Sequence, residues 1–283
     1  MAVREIPVEQ IVEAVSRLCR EANNYLPKDV VLALEGARQK EESRAGKRIL
    51  GLILENAQAA AAEEAPLCQD TGTTVVFLKV GQDVHVVGGS LVEAINEGVR
   101  RGYQEGFLRK SILNHPFANG KNTGDNTPAV VHPEIVEGDR LRIGVLTKGG
   151  GAENMSRMAM LVPSDGREGV AKFVLETVDK AGGNGCPPNI VGVGIGGTYD
   201  MVTYLAKKAI TRPVGQPSPD PDNRALEQEL LEKINDLGIG PLGFGGRVTA
   251  IAVHVETYPC HIASLPVAVN LQCHSARYKE VVL

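Results

Sequence analysis

The chain has 283 residues, 43% of them hydrophobic, with 30 Lys and Arg against 34 Asp and Glu for a net charge of −4. A packed core is therefore expected, disorder is not, and the lack of a basic excess argues against a nucleic-acid partner. No run approaches 18 apolar residues and the opening MAVREIPVEQ lacks an apolar leader, so the reading is a cytoplasmic protein without a membrane segment.

Ile11, Val12, Val15 and Leu18 recur at helical spacing and predict a helix over 8–25. Cys19 falls on its apolar face, where a small buried thiol is expected. Pro27 can open a second helix carrying Leu32 and Leu34, and Ile49, Leu50, Ile53 and Leu54 mark a third over about 45–64. The β-branched run TTVVFLKV from Thr73 reads as a strand. Residues 90–105 return to helix, and 109–127 form a loop rich in Asn, Gly and Asp, long enough to suggest a function. Strands are expected near 128–136 and 139–147, then a helix over 168–182. NIVGVGIGG reads as a buried strand, followed by a helix over 199–210, a turn-rich PVGQPSPDPDN, a polar helix over 223–237 and the strand VTAIAVHVET. No further element is expected after Cys273. The fold class is α/β in the mixed α+β sense: a helical N-terminal region over about 1–65, then mixed β-sheet layers with packed helices over about 66–283, taken as one domain.

Five cysteines in a reducing compartment suggest thiols or metal ligands. Cys68 in PLCQDTGT, Cys186 in GGNGCPPN and Cys273 in LQCHSAR each lie at an element end beside turn-forming residues. Three thiolates suit a soft metal. A [4Fe–4S] cluster normally takes four cysteines, so three would leave one iron open, as Lewis-acid catalysis requires. Three unrelated buried cysteines are the alternative that spacing leaves standing. Cys260 reads as a bystander.

Other motifs are double-edged. Gly192, Gly194 and Gly197 match GxGxxG after a strand, but no second central strand with an acidic end follows, so close backbone approach is favoured over dinucleotide binding. Gly149, Gly150 and Gly151 in TKGGGAENMS could form an anion-binding nest with Lys148 nearby, or a flexible turn. Asn122, Asp125 and Asn126 could meet a ligand or cap turns. Arg109 could grip a carboxylate in bidentate fashion or remain on the surface. His261 lies in the turn after a strand.

Taken in order, PLCQDTGT, KNTGDNTP, KGGGAENMS, GGNGCPPNIVGVGIGG and CHIASLPVAVNLQCHSAR resemble the class I fumarate hydratases, iron–sulfur enzymes related to L-tartrate dehydratase. The resemblance covers nearly the whole chain. It implies that Cys68, Cys186 and Cys273 hold a [4Fe–4S] cluster. It implies substrate contacts by Gln69, Asp70, Arg109, Gly151 and His261, with Asp70 and His261 catalytic. Single-chain members continue into a second domain with further cationic residues and a threonine proposed as base together with the Asp, whereas others divide into α and β subunits. This chain resembles an α subunit. The resemblance therefore implies a β-subunit partner completing the site, a hetero-oligomer such as α2β2, and a small dicarboxylate as substrate. Fumarate and (S)-malate are the leading pair and L(+)-tartrate the alternative. A non-catalytic iron–sulfur sensor or electron carrier, or a cluster-free nucleotide-binding module, is the reading from other classes.

Overall fold

Helices and strands are interspersed along a chain that crosses four times between two compact units. The computed structural model describes residues 3–117 and 119–283. The first half of the chain carries β1 (Arg4–Pro7), α1 (Val8–Asn24), α2 (Lys28–Lys40), α3 (Arg44–Glu63), β2 (Thr73–Gly81), β3 (Val84–Val87), α4 (Leu91–Glu105), β4 (Val130–Val136) and β5 (Leu141–Lys148). The second carries α5 (Gly150–Asn154), β6 (Arg157–Leu161), α6 (Gly166–Ala181), β7 (Asn189–Gly196), α7 (Tyr199–Ala209), α8 (Pro221–Asp236), β8 (Ala250–Tyr258), β9 (Leu265–Gln272) and β10 (Tyr278–Val282). The mixed α/β class is as expected.

The first unit comprises the N-terminal segment to Leu26, Ala57–Gly150 and Arg277–Leu283. Its sheet has the order β10-β5-β2-β4, with β2 parallel to β4 and antiparallel to β5. The apolar stripe read from the sequence, Ile11, Val15 and Leu18 of α1, packs with Ile95 and Val99 of α4 onto Val76 and Leu78 of β2. Cys19 is fully buried in this core, and burial pushes its thiol up to about 12. β10 was not anticipated. It is a short, charged edge strand, YKEVV, which pairs antiparallel with β5; edge strands of this kind carry little hydrophobic signal.

The second unit comprises Pro27–Asn56 and Gly151–Ala276. Its sheet has the order β6-β9-β7-β8, with β7 parallel to β8 and antiparallel to β9. Side chains alternate across a strand, and β7 uses this sharply. Val191 and Val193 enter the core formed with α6 and α8. Gly192 and Gly194 face α7, where an added Cβ would lie 2.2 Å from the Ala206 carbonyl and 2.3 Å from that of Val202. The GxGxxG pattern thus serves helix-on-sheet packing. Among the described residues no helix is long and apolar enough to cross a membrane.

Candidate functional site

In the first unit the connection from α3 to β2 presents Cys68, Gln69 and Asp70. Cys68 and Asp70 are half-buried and Gln69 is exposed. The Cys68 thiol donates to Gln69 Oε1 at 3.3 Å. The Asp70 carboxylate is oriented by two main-chain donors: Gly72 N–H to Oδ1 at 3.1 Å and Gly150 N–H to Oδ2 at 2.8 Å. Gly72 has φ +77, and a Cβ there would stand 2.6 Å from the Lys148 main chain, so the turn requires glycine.

This turn is braced from below. The buried Tyr103 hydroxyl reaches the carbonyls of Thr71 at 2.8 Å and Gly72 at 3.0 Å. Asn126 donates to the Gly72 carbonyl at 3.1 Å and accepts from Ser111 N–H at 2.8 Å. Thr71 donates its hydroxyl to the Arg109 carbonyl at 2.8 Å, tying the start of the long loop to the Asp70 turn and leaving the Arg109 side chain exposed. Arg277 is buried and donates from Nη1 to the Asp70 carbonyl.

The Asn- and Asp-rich loop spends its side chains on its own turns and on neighbouring elements. Asn122 bridges the Lys110 carbonyl and Gly124 N–H. Burial works against charge on Asp125, but the Thr127 N–H and hydroxyl and the Arg100 guanidinium outweigh it and hold the carboxyl at about 2. The glycine run also differs from a free nest. Gly150 opens the short helix α5 and spends its N–H on Asp70. Gly151 is exposed with room for a side chain, whereas a Cβ added at Gly149 would lie 2.6 Å from Arg277 Nη2 and 3.3 Å from Asp70 Oδ2.

In the second unit Cys186 and Cys273 come together on one rim of the sheet. Cys186 ends the Gly182–Gly185 turn with φ 53, a left-handed conformation that is uncommon outside glycine. Its carbonyl accepts from His274 N–H at 3.2 Å. The buried Asn189 donates to the Gly185 carbonyl at 2.7 Å and the Gln272 carbonyl at 3.2 Å, stitching together the residues just before each cysteine. Both thiols are half-buried, and none of the five cysteines is in a disulfide. Behind this rim Glu153 pairs with Lys207 and accepts from Asn270 Nδ2 at 2.9 Å.

His261 is elsewhere in that unit. β7 pairs Ile190 with Gln272 at the cysteine end and Gly196 with Tyr258 at the other, and His261 follows Tyr258. At about 3.3 Å per residue the two ends are roughly 20–25 Å apart. His261 is exposed, its Nδ1 accepts from Ala263 N–H at 3.1 Å, and it lines hollows of about 540 and 430 Å³ on either side of its loop. Cys260 beside it is exposed and donates to the Ser264 carbonyl.

The residues that organise these turns, namely Tyr103, Asn189, Glu153 and Arg277, were missed in the sequence. Asn189 alone left a trace there, as a polar residue opening an otherwise apolar strand. Among the described residues no three His, Cys, Asp or Glu side chains gather at the spacing of a single metal ion. A four-iron cluster spreads its cysteine sulfurs over separate irons and does not demand that spacing. Half-buried thiols outside any disulfide, carried on braced turns, suit such a group chemically.

The family model described as "Fumarate hydratase (Fumerase)" matches residues 12–282. A Methanocaldococcus jannaschii protein, provisionally named L(+)-tartrate dehydratase subunit alpha, is 46% identical over 274 residues, covering 95% of both chains. The L(+)-tartrate dehydratase subunits alpha of Escherichia coli K12 and Shigella sonnei are each 35% identical over 272 residues, covering 95% of this chain and 89% of theirs. With the match running over nearly its full length, the chain belongs to the fumarate hydratase (fumerase) family.

Proposed function

We propose that this chain is the α subunit of an iron–sulfur hydro-lyase that interconverts fumarate and (S)-malate and reaches full activity with a β subunit. The observation that carries the reading is the family match over residues 12–282, and the relatives named as subunits support the division into two chains. Cys68, Cys186 and Cys273 are the proposed ligands of a [4Fe–4S] cluster. When bound, such a cluster supplies an open iron that polarises a substrate hydroxyl and carboxylate.

The chain's own residues supply part of the remaining chemistry, and the β subunit completes it. Dehydration removes a proton from the carbon beside a carboxylate while hydroxide departs. Asp70 has each oxygen engaged by one N–H, which fixes the plane of the carboxylate and leaves a lone pair on each oxygen for a proton or a substrate donor. Gln69 and Arg109 project from the same braced turns and can donate to the diacid. Charge developing on the second carboxylate is met by such preorganised donors, and losing one costs about 3–4 kcal/mol at a comparable oxyanion site. Gly151 is retained only as a backbone donor in this proposal. His261 stands at the opposite end of its sheet from Cys186 and Cys273, a separation several times the length of a four-carbon diacid, so we assign it no role on a substrate bound at that rim of the same chain.

A second reading, L(+)-tartrate dehydration by the same chemistry, is favoured by the names of the curated relatives. The test is anaerobic co-expression with a candidate β chain, iron analysis, and turnover on fumarate, (S)-malate and L(+)-tartrate. We expect bound iron, dicarboxylate turnover and a cluster spectrum that shifts on adding substrate, with Cys186→Ser losing iron and activity together. Iron without turnover or spectral response would instead mark a sensor or electron carrier.

A further inference from the structure

Arg277 follows Cys273 by four residues and opens the last segment of the first unit. Its exposure is 1%. A guanidinium carries five donors, and removing one from water without partners for them is costly. Here Nη1 donates to the Asp70 carbonyl, Nε has no hydrogen-bond partner, and among the described residues no carboxylate lies within ion-pairing distance. The main chain is also held, since the Arg277 carbonyl accepts from Thr147 N–H at 3.1 Å. Such a residue contributes little to stability for its burial, so its geometry is informative.

The geometry centres on Asp70. Arg277 Nη2 lies where a Cβ on Gly149 would come within 2.6 Å of it, so the guanidinium rests against the bare Cα of the glycine run. The next residue, Gly150, donates to Asp70 Oδ2. One side chain thus grips the main chain of Asp70 and also packs on the turn that orients its carboxylate. We propose that Arg277 is a positioning residue for Asp70, acting through the Asp70 carbonyl and Gly149 without touching substrate. This rests on the reading of Asp70 as a reacting group.

The experiment uses the anaerobically assembled two-chain complex carrying Arg277→Gln, Arg277→Lys or Gly149→Ala, with iron content and visible spectrum measured beside steady-state kinetics. Misplacing a reacting group by about 1 Å can cost about 100-fold. The expected result is wild-type iron and spectrum, KM within about threefold, and kcat per cluster reduced about 100-fold in Arg277→Gln and Gly149→Ala, with partial recovery in Arg277→Lys. If Arg277→Gln does not assemble, the other two variants decide. An unchanged kcat per cluster, or a loss of kcat that merely follows loss of iron, overturns the assignment while leaving the hydro-lyase reading intact. A wild-type complex inactive on all three diacids overturns both.

Discussion

At the scale of one residue, His254 shows what burial beside a cation does to titration. It is 3% exposed, with Nδ1 3.1 Å from the Ala209 carbonyl. Burial and the nearby Arg212 cation lower its pKa from the usual 6.5 to about 4, against the opposing pull of Glu227 and Asp29. The folded state therefore holds the ring neutral while the unfolded chain protonates it near 6.5. The resulting stability is complete above that pH and is lost as pH falls toward about 4, for a total of about 3 kcal/mol. Denaturant unfolding at pH 7.5 and 4.5 should show a larger loss for the wild type than for His254→Asn, by about 2–3 kcal/mol. Equal losses would mean that the ring does not titrate in this way.

Among the elements, β7 carries the most specific demand on side-chain size. Its valines and glycines alternate because α6 and α8 need apolar bulk on one face while α7 needs none on the other. Gly194→Ala would put a methyl 2.3 Å from the Val202 carbonyl, and overpacking of this kind costs about 1–3 kcal/mol. Gly36 in α2 is the contrast. An added Cβ there meets nothing within 4 Å, and the helix gains up to about 1 kcal/mol from alanine. Thermal melts of the two variants should move in opposite directions. A melt of Gly194→Ala at or above wild type would show that α7 can withdraw without penalty.

For the molecule as a whole, the decisive property is that neither unit is one continuous segment. The second unit depends on Pro27–Asn56, where the buried Glu41 accepts main-chain N–H groups from Glu42, Ser43, Arg247 and Val248. Burial alone would raise its pKa, but these donors prevail and hold the carboxyl below the usual glutamate range. A fragment of residues 151–276 lacks Glu41 and leaves those groups at 247 and 248 without their acceptor. It should therefore show secondary structure without fixed packing, seen as far-UV dichroism with collapsed amide-proton dispersion. Full native dispersion from that fragment would show that the unit is autonomous.

What could be read from the residues follows from local physics. Helical spacing located α1 to α4 and α6 to α8, β-branched runs located β2 and β7, and turn chemistry around Cys68, Cys186 and Cys273 flagged the ends of elements. Ordered motifs pointed to the family because each is a local string. The short strands β1, β3, β6 and β10 and the helix α5 escaped because their few residues carry little periodicity and are defined by pairing partners distant in sequence. The same limit separated the candidate site into its parts. Strand register sets Cys186 beside Cys273 and His261 at the other end of the sheet, and only close packing in three dimensions reveals Gly149 as the crowded glycine with Arg277 against it. Motifs record which residue types occur together along the chain, but distance between them is decided by hydrogen-bond pairing and packing that no local window contains.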